Sequence, residues 1–200
     1  DYNSDILESV FNFTHEKKDL FFDFNVSVFE TLKSDYNDKY EYIFPELVLD
    51  KNLLSSDKFG NLGLQTNFKT HNYDTNKLTN FLVNDFQWTS NDKIFQSVVK
   101  NKFLGNLKNI NYEAKNVDYY KKDNTSELFG ALGLLSEIDF QKKLGAINHL
   151  FTPRVLLKYS PGSMRKEQEG SRLSPTNAYK LNRLSNINNF ETGNTATLGI

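Results

Sequence analysis

The sequence predicts an all-β fold, a segment of an antiparallel transmembrane β-barrel with about nine strands cut from a larger barrel. The first observation is a period-two alternation of apolar and polar residues, which is typical of strands with one buried face. The second is the length of the alternating segments, since a tilted strand needs about 9–11 residues to cross a bilayer. The third is an alternation of short and long connections. We therefore assign residues 1–200 to one outer-membrane barrel domain without a second domain.

The predicted strands follow one another along the whole chain. In order they are 5–14, 19–32, 40–54, 59–71, 78–89, 94–112, 126–140, 149–160 and 190–200. Alternation is clearest in the second, fourth and eighth of them. The apolar spacing in 78–89 and 94–112 also fits a helix. In 40–54 the apolar phase switches at Pro45, which predicts a bulge or an edge position because proline lacks the ladder donor.

The connections between these strands differ in length. Short turns are predicted at 15–18, 55–58 and 90–93, with 141–148 as a longer member of the same set. The intervening connections are mostly longer and polar, namely 33–39, 72–77, 113–125 and 161–189. Short turns at one end and long loops at the other are the plan of an outer-membrane barrel. A soluble antiparallel sandwich or a solenoid of hairpins also gives alternating strands, so both stay open on this pattern.

Composition and charge exclude several classes of protein. The chain has 24 basic and 25 acidic side chains, without the excess of positive charge that a nucleic-acid partner requires. Aromatic residues make up 14% of the chain, and this content argues against disorder. Cysteine is absent, so the chain has no disulfide and no thiolate metal site. The longest run of apolar residues and glycine, Leu128 to Leu135, is too short for a transmembrane helix. The start at Asp1 and a strand-like end at 195–200 predict an internal piece of a longer protein.

The residues that usually carry catalysis or bind metals form no recognisable pattern. His15, His71 and His149 are far apart in the sequence, without a pair at metal-ligand spacing. Ser163 follows a glycine but lacks the second glycine of a nucleophile elbow. We therefore predict no catalytic residue, no metal and no cofactor.

Three segments resemble a known family. Residues 151–161, FTPRVLLKYSP, resemble the "TPR…L.Y.P" strand of the LptD family, the lipopolysaccharide-assembly proteins of the outer membrane, also called organic solvent tolerance proteins. Residues 183–193, RLSNINNFETG, resemble the family's next segment, in which a loop returns to a strand. Residues 40–47, YEYIFPEL, resemble an earlier strand. The three motifs occur in the family's order and at roughly its spacing.

The resemblance implies a place and a function. Members of the family carry a periplasmic N-terminal jelly-roll domain followed by a very large barrel, and this chain matches only the middle of that barrel. A lipoprotein of the LptE type plugs the lumen. Lipopolysaccharide arrives over a periplasmic bridge containing an LptA-type component, and it leaves through a lateral gap into the outer leaflet. The implied function is lipopolysaccharide transport without catalysis, and the implied location is the outer membrane.

In such a barrel the apolar face of each strand meets lipid and the polar face lines the lumen. The candidate lumen-facing residues are Asp23, Asn25, Ser27, Gln65, Asn67, Lys69, Arg154 and Lys158. We expect Arg154 to form an ion pair with a carboxylate such as Asp23 or Glu46.

All four arginines lie in the last quarter of the chain, three of them after Arg154. Arginine offers bidentate geometry that lysine lacks. In the long loop 161–189, expected to be extracellular, Arg165, Lys166 and Arg172 are therefore candidates for contact with lipopolysaccharide phosphates or neighbouring loops. Two alternatives remain: another outer-membrane barrel, such as a porin or receptor, and a soluble extracellular β-sandwich that binds carbohydrate.

Overall fold

The structure is a computed structural model that describes residues 5–33, 40–74, 76–95, 98–166 and 174–200. Its regular structure within these ranges consists of strands. They are β1 (Ile6–Lys17), β2 (Leu20–Thr31), β3 (Tyr40–Ser56), β4 (Gly60–Tyr73), β5 (Lys77–Thr89), β6 (Lys93–Phe95), β7 (Val99–Lys115), β8 (Thr125–Ile138), β9 (Phe140–Leu144), β10 (Ile147–Phe151), β11 (Arg154–Tyr159) and β12 (Thr195–Gly199). A search of the described ranges finds no helix long and apolar enough to cross a membrane.

Most strands belong to one antiparallel sheet in which each strand pairs with the strand of that sheet that follows it along the chain. The order is β1-β2-β3-β4-β5-β7-β8-β11-β12, while β6 pairs with β7 and β9 with β10. As described, the sheet is open, with β1 and β12 at its two ends. The predicted all-β antiparallel fold is therefore confirmed, whereas the barrel is not seen as a closed sheet.

The alternation located most strands to within a few residues. The segment 78–89, with helical spacing, is strand β5. The predicted strand 94–112 is instead divided into β6 and β7, which pair with each other antiparallel. The expected irregularity at Pro45 is confirmed. The register between β2 and β3 shifts there, because Asn25 lies opposite Glu46 while Ser27 lies opposite Ile43. Two residues of β3 thus face one residue of β2, which is the definition of a bulge.

The predicted turn at 141–148 is wrong. These residues belong to a hairpin in which β9 and β10 pair from Phe140↔Phe151 to Leu144↔Ile147. Gly145 has a φ of +61°, and a glycine with positive φ at the first central position permits a two-residue hairpin turn. The predicted strand 149–160 is split by Thr152 and Pro153, since proline has no amide hydrogen for the ladder.

The predicted strand 190–200 is also too long. Only Thr195–Gly199 forms β12, and the preceding residues leave the ladder. Phe190 is fully buried at 0% exposure. The segment around Phe190 therefore does not form the predicted strand, because the Phe190 ring is buried against other side chains instead. The loop predicted at 113–125 is shorter than expected, because β7 continues to Lys115.

The chain divides into two compact units. The first contains the described residues of Asp1–Asn52, Leu64–Asp85 and Asn109–Leu128. Its core is aromatic: the ring of Phe81 lies 5.4 Å from that of Tyr112 and 5.1 Å from that of Tyr120. β1 lies at the sheet edge and is exposed along its whole length.

The second unit contains the described residues of Leu53–Gly63, Phe86–Lys108 and Phe129–Ile200. In β11 of this unit, buried residues alternate with exposed ones, so this strand has two different faces. Leu156 is 1% exposed and the next residue, Leu157, is 50% exposed. This unit carries the features that bear most directly on function.

Candidate functional site

One face of the second unit's sheet is apolar and exposed. Its members, here called the outer face, are 47–76% exposed: Leu107, Leu132, Leu157, Tyr159 and Leu198. The register places Tyr159 opposite Leu132 and Leu198 opposite Val155. Large side chains of this kind normally lie in the interior of a water-soluble sheet, so a continuous exposed set marks a surface that contacts something apolar.

A groove of about 560 Å³ lies in the outer face between Trp88, Leu107, Leu132 and Tyr159. Gly105 and Gly130 are also among the residues that line it. A side chain at Gly105 would begin 3.3 Å from the Trp88 ring, so glycine keeps this space open. The Trp88 indole donates a hydrogen bond to the Phe59 carbonyl oxygen at 2.8 Å, which fixes the ring.

The opposite, inner face is covered by residues 174–193, here called the cover segment. Phe190 stacks on Phe129 of β8 with ring centroids 5.9 Å apart. Lys108 of β7 donates a hydrogen bond to the carbonyl oxygen of Ile187 at 3.2 Å. Leu181 packs over Gly133, where an added Cβ would lie 2.6 Å from its methyl group. The cover segment is therefore anchored on β7 and β8 by apolar and polar contacts.

An ion cluster joins the cover segment to β11. The Lys158 amine lies 3.2 Å from the Glu191 carboxylate, and the Lys158 side chain is 0% exposed. Arg183 donates from Nε to both oxygens of Glu191, at 3.0 and 2.8 Å. Glu191 thus balances two cations in a largely buried position, and this pairing is what makes a buried lysine tolerable.

Proton binding at Glu191 reflects these neighbours. Burial acts to raise the pKa of the Glu191 carboxyl, but the hydrogen bonds from Arg183 and the charge of Lys158 outweigh it, and the pKa lies below its ordinary value of 4.5. The same carboxylate raises the pKa of Arg183 through their hydrogen bonds. Glu191 and Arg183 therefore both carry their charges near neutral pH.

Glu191 should make the stability of the fold depend on pH. Since its pKa is lower in the folded chain than its ordinary 4.5, its contribution is fully present above that pH and is lost as the pH falls through the folded value. We expect the free energy of unfolding, measured by denaturant titration, to decrease in this range. The variant Glu191→Gln should lack this component. An unchanged difference between the two proteins from neutral to acid pH would contradict the assignment.

The three candidate loop residues have different positions. The guanidinium of Arg165 donates to the Asn188 carbonyl oxygen, and its own carbonyl oxygen accepts a hydrogen bond from the Asn189 amide at 3.0 Å. Arg165 therefore contacts the cover segment, whereas Lys166 is exposed. Arg172 lies outside the described residues.

The candidate residues of β2 form small polar contacts within the first unit. Asp23 accepts hydrogen bonds from Asn12 and Thr14 at 2.9 and 2.6 Å. Asn25 donates to the Ser27 hydroxyl at 3.1 Å. The side chains of β2 alternate as predicted, and these polar contacts lie on the face opposite to that of Phe22 and Phe24.

The candidate residues of β4 lie in the same unit. Lys69 pairs with Glu46 of β3 at 3.3 Å. Gln65 and Asn67 are half-buried. Together with the β2 residues they give the first unit a polar face that includes charges and amides, and Ser27 on this face is buried.

Arg154 forms the expected ion pair with a carboxylate, but its partner is neither Asp23 nor Glu46. Arg154 pairs with Glu137, its direct neighbour across the β8–β11 ladder, at 3.3 Å. Asp23 and Glu46 have the partners described above. A cross-strand neighbour in register is the nearest carboxylate available to a strand residue, and this register could not be read from the sequence. Lys158, predicted as lumen-facing, lies under the cover segment.

The sequence pattern missed the residues that hold the cover segment. Phe190 and Glu191 were predicted as part of a strand, and the role of Arg183 was not recognised. The only sequence feature that could have indicated them is the pair Phe190 and Glu191 in an otherwise polar loop, followed by Gly193. Within the described ranges, no group of three or more histidine or acidic side chains is arranged to hold a metal ion.

Comparison with known proteins gives no family assignment: neither the family models nor the curated proteins contain a match to this chain. The resemblance to the LptD family consequently depends on the motifs at 40–47, 151–161 and 183–193. Two of these motifs contribute to the ion cluster, because Lys158 belongs to the second and both Arg183 and Glu191 belong to the third.

Proposed function

We propose that this chain is part of an outer-membrane β-barrel of the LptD type, in the translocon that inserts lipopolysaccharide into the outer leaflet. The observation that carries this proposal is the contrast between two faces of one sheet. The outer face is exposed and apolar, as a lipid-facing surface requires. The opposite face carries the polar contacts and the ion cluster.

Strand length supports the membrane assignment. The seven strands β1–β5, β7 and β8 have 12–17 residues each. Soluble strands are usually about 5–6 residues long, whereas a tilted crossing of the bilayer takes about 9–11. Each of these strands is long enough to cross a bilayer and to extend beyond it.

The inner face supports a lumen with a fixed lining. In the proposed barrel, the cover segment would fold back against the inner wall and be held there by the ion cluster. The polar residues of β2 and β4 would face the wet interior. An LptE-type lipoprotein in the lumen, an LptA-type bridge component and the N-terminal jelly roll are the partners that this proposal requires. The chain itself would carry out transport without catalysis.

The cationic side chains of the loop are the part of this chain that we propose to contact lipopolysaccharide. Lys166 is exposed beside Arg165, and the phosphates of lipopolysaccharide pair well with such cations. We propose that Arg165, Lys166 and Arg172 contact these phosphates or neighbouring loops at the cell surface. Arg165 also contacts the cover segment. Neutralising Arg165 should therefore raise permeability more than neutralising Lys166.

The function is tested in the cells that produce the chain. Depletion should lower the amount of lipopolysaccharide at the cell surface and raise permeability to large antibiotics. Neutralising Arg165, Lys166 and Arg172 together should raise permeability, whereas Lys121→Gln and Lys122→Gln, in the loop before β8, are matched control changes. Unchanged surface lipopolysaccharide after depletion, with the protein in the outer membrane, would favour a porin or receptor. A product folded in water without detergent would favour the carbohydrate-binding sandwich.

A further inference from the structure

The β9–β10 hairpin projects from the second unit. Every residue of both strands is exposed, and the hairpin forms a sheet of its own. A two-stranded hairpin alone in water is marginally stable at best. Its large apolar side chains, listed here with β9 before β10, are 49–70% exposed: Phe140, Leu144, Ile147, Leu150 and Phe151.

Apolar and basic residues are arranged in order along this hairpin. Its tip, Leu144-Gly145-Ala146-Ile147, is apolar. Lys142 and Lys143 immediately precede the tip, about 3–7 Å from it at the ordinary rise of a strand. The sequence from Phe140 to Phe151 contains two lysines and no acidic residue. The tip is therefore apolar and the band behind it is positive.

We propose that this hairpin inserts its tip into the surface of a membrane that contains anionic phospholipid. The apolar tip would enter the region below the headgroups, and Lys142 and Lys143 would bind the phosphates around it. Long lysine side chains suit this position because their stems are apolar and their amines reach the headgroups. The positive band and the absence of carboxylates from Phe140 to Phe151 favour an anionic partner over a neutral one, and the apolar tip favours a membrane over the surface of an acidic protein.

The proposal goes beyond transport and does not depend on it. The turn of the β1–β2 hairpin, by contrast, is polar, with Lys18-Asp19, and the turn of the β3–β4 hairpin holds Asp57-Lys58 followed by the exposed Phe59. The tip at 144–147 thus differs from these two turns because it contains no charged residue. Asp57, at the charged β3–β4 turn, provides a matched control position.

The test uses the full chain, which contains no cysteine and one tryptophan. A single cysteine is introduced at the tip as Ala146→Cys, or at the control turn as Asp57→Cys, and labelled with a polarity-sensitive fluorophore. Vesicles are made either of phosphatidylcholine alone or of phosphatidylcholine with an equal part of phosphatidylglycerol. The emission of Trp88 in the same samples reports separately whether the outer face has entered lipid, so the two proposals can fail independently.

We expect the emission at position 146 to shift to the blue with the anionic vesicles and to remain unchanged at position 57. Adding Lys142→Gln and Lys143→Gln should weaken tip binding roughly 30-fold, since each lysine near an anionic surface strengthens binding by about fivefold. Both lysines are exposed, so the fold should tolerate these changes. A tip that stays in water with anionic vesicles would overturn the proposal. An equal shift in neutral vesicles, or a shift without vesicles, would overturn it as well, the latter in favour of self-association.

Discussion

Replacing Leu132 with arginine is expected to destabilise the chain in a bilayer by about 2–4 kcal/mol, the cost of a cation on the lipid face near the midplane of a barrel. Leu132 is 64% exposed on the outer face, in the middle part of β8. In water such an exposed position would tolerate arginine within about 0.5 kcal/mol. The solvent around this face therefore determines the size of the effect.

A control variant shows whether the effect of arginine depends on its place on the outer face or follows from any change of an exposed apolar residue to arginine. Ile94 is similarly exposed, at 65%, but lies in the short strand β6, where Lys93–Phe95 pairs with the first residues of β7. Ile94→Arg should cost only about 0–1 kcal/mol, as cations do near the interface. The measurement is the free energy of unfolding in lipid vesicles by denaturant titration. Equal and small effects for Leu132→Arg and Ile94→Arg would show that the outer face does not lie in lipid.

Changing Glu191 to glutamine is expected to destabilise the folded chain by about 3–5 kcal/mol, because it leaves buried cations without their counter-charge. Lys158 is fully buried and lies 3.2 Å from this carboxylate. Arg183 would keep only one amide oxygen in place of the two carboxylate oxygens that accept its Nε hydrogen bonds. The loss should appear as release of the cover segment, measured by hydrogen exchange at Phe190, together with the decrease in unfolding free energy.

The opposite change at the same ion pair should be mild. Lys158→Met removes a buried amine and keeps an unbranched side chain, while Glu191 retains its hydrogen bonds from Arg183. We expect a change of at most about 1 kcal/mol in either direction. The two variants together test whether Glu191 is the centre of the cluster. A larger loss for Lys158→Met than for Glu191→Gln would assign that role to Lys158.

The positions of the strands could be predicted because each strand satisfies a local pattern. The period-two pattern extends from Phe22 to Val28 in β2 and from Asn61 to Lys69 in β4. Pro45 predicted its own bulge because proline lacks the amide hydrogen of the ladder. The β9–β10 hairpin was missed because its exposed apolar residues lie on both sides of two lysines and do not alternate. The positive φ of Gly145, which the structure shows, explains why β9 and β10 pair right up to the turn.

The site was harder to predict than the fold because its contacts join residues that are far apart in sequence. Lys158 could be chosen as a functional polar residue from its strand position, but its partner Glu191 lies in another segment. Lys108 and Ile187 are separated by 79 positions. Phe190 is buried against Phe129, and no periodic pattern in the sequence near either residue predicts this contact. Residue types could be identified from the sequence, whereas their pairing required the register.

The central claim is that the outer face contacts lipid, and Trp88 tests it most directly. It is the only tryptophan in the chain, and it lies in the groove with Leu132 and Tyr159. The chain is refolded in vesicles containing lipids brominated along their acyl chains, and the fluorescence of Trp88 is compared with that in the unbrominated vesicles. We predict strong quenching by the brominated lipids and little quenching by aqueous iodide. Quenching by iodide but not by brominated lipid would contradict the proposed membrane barrel.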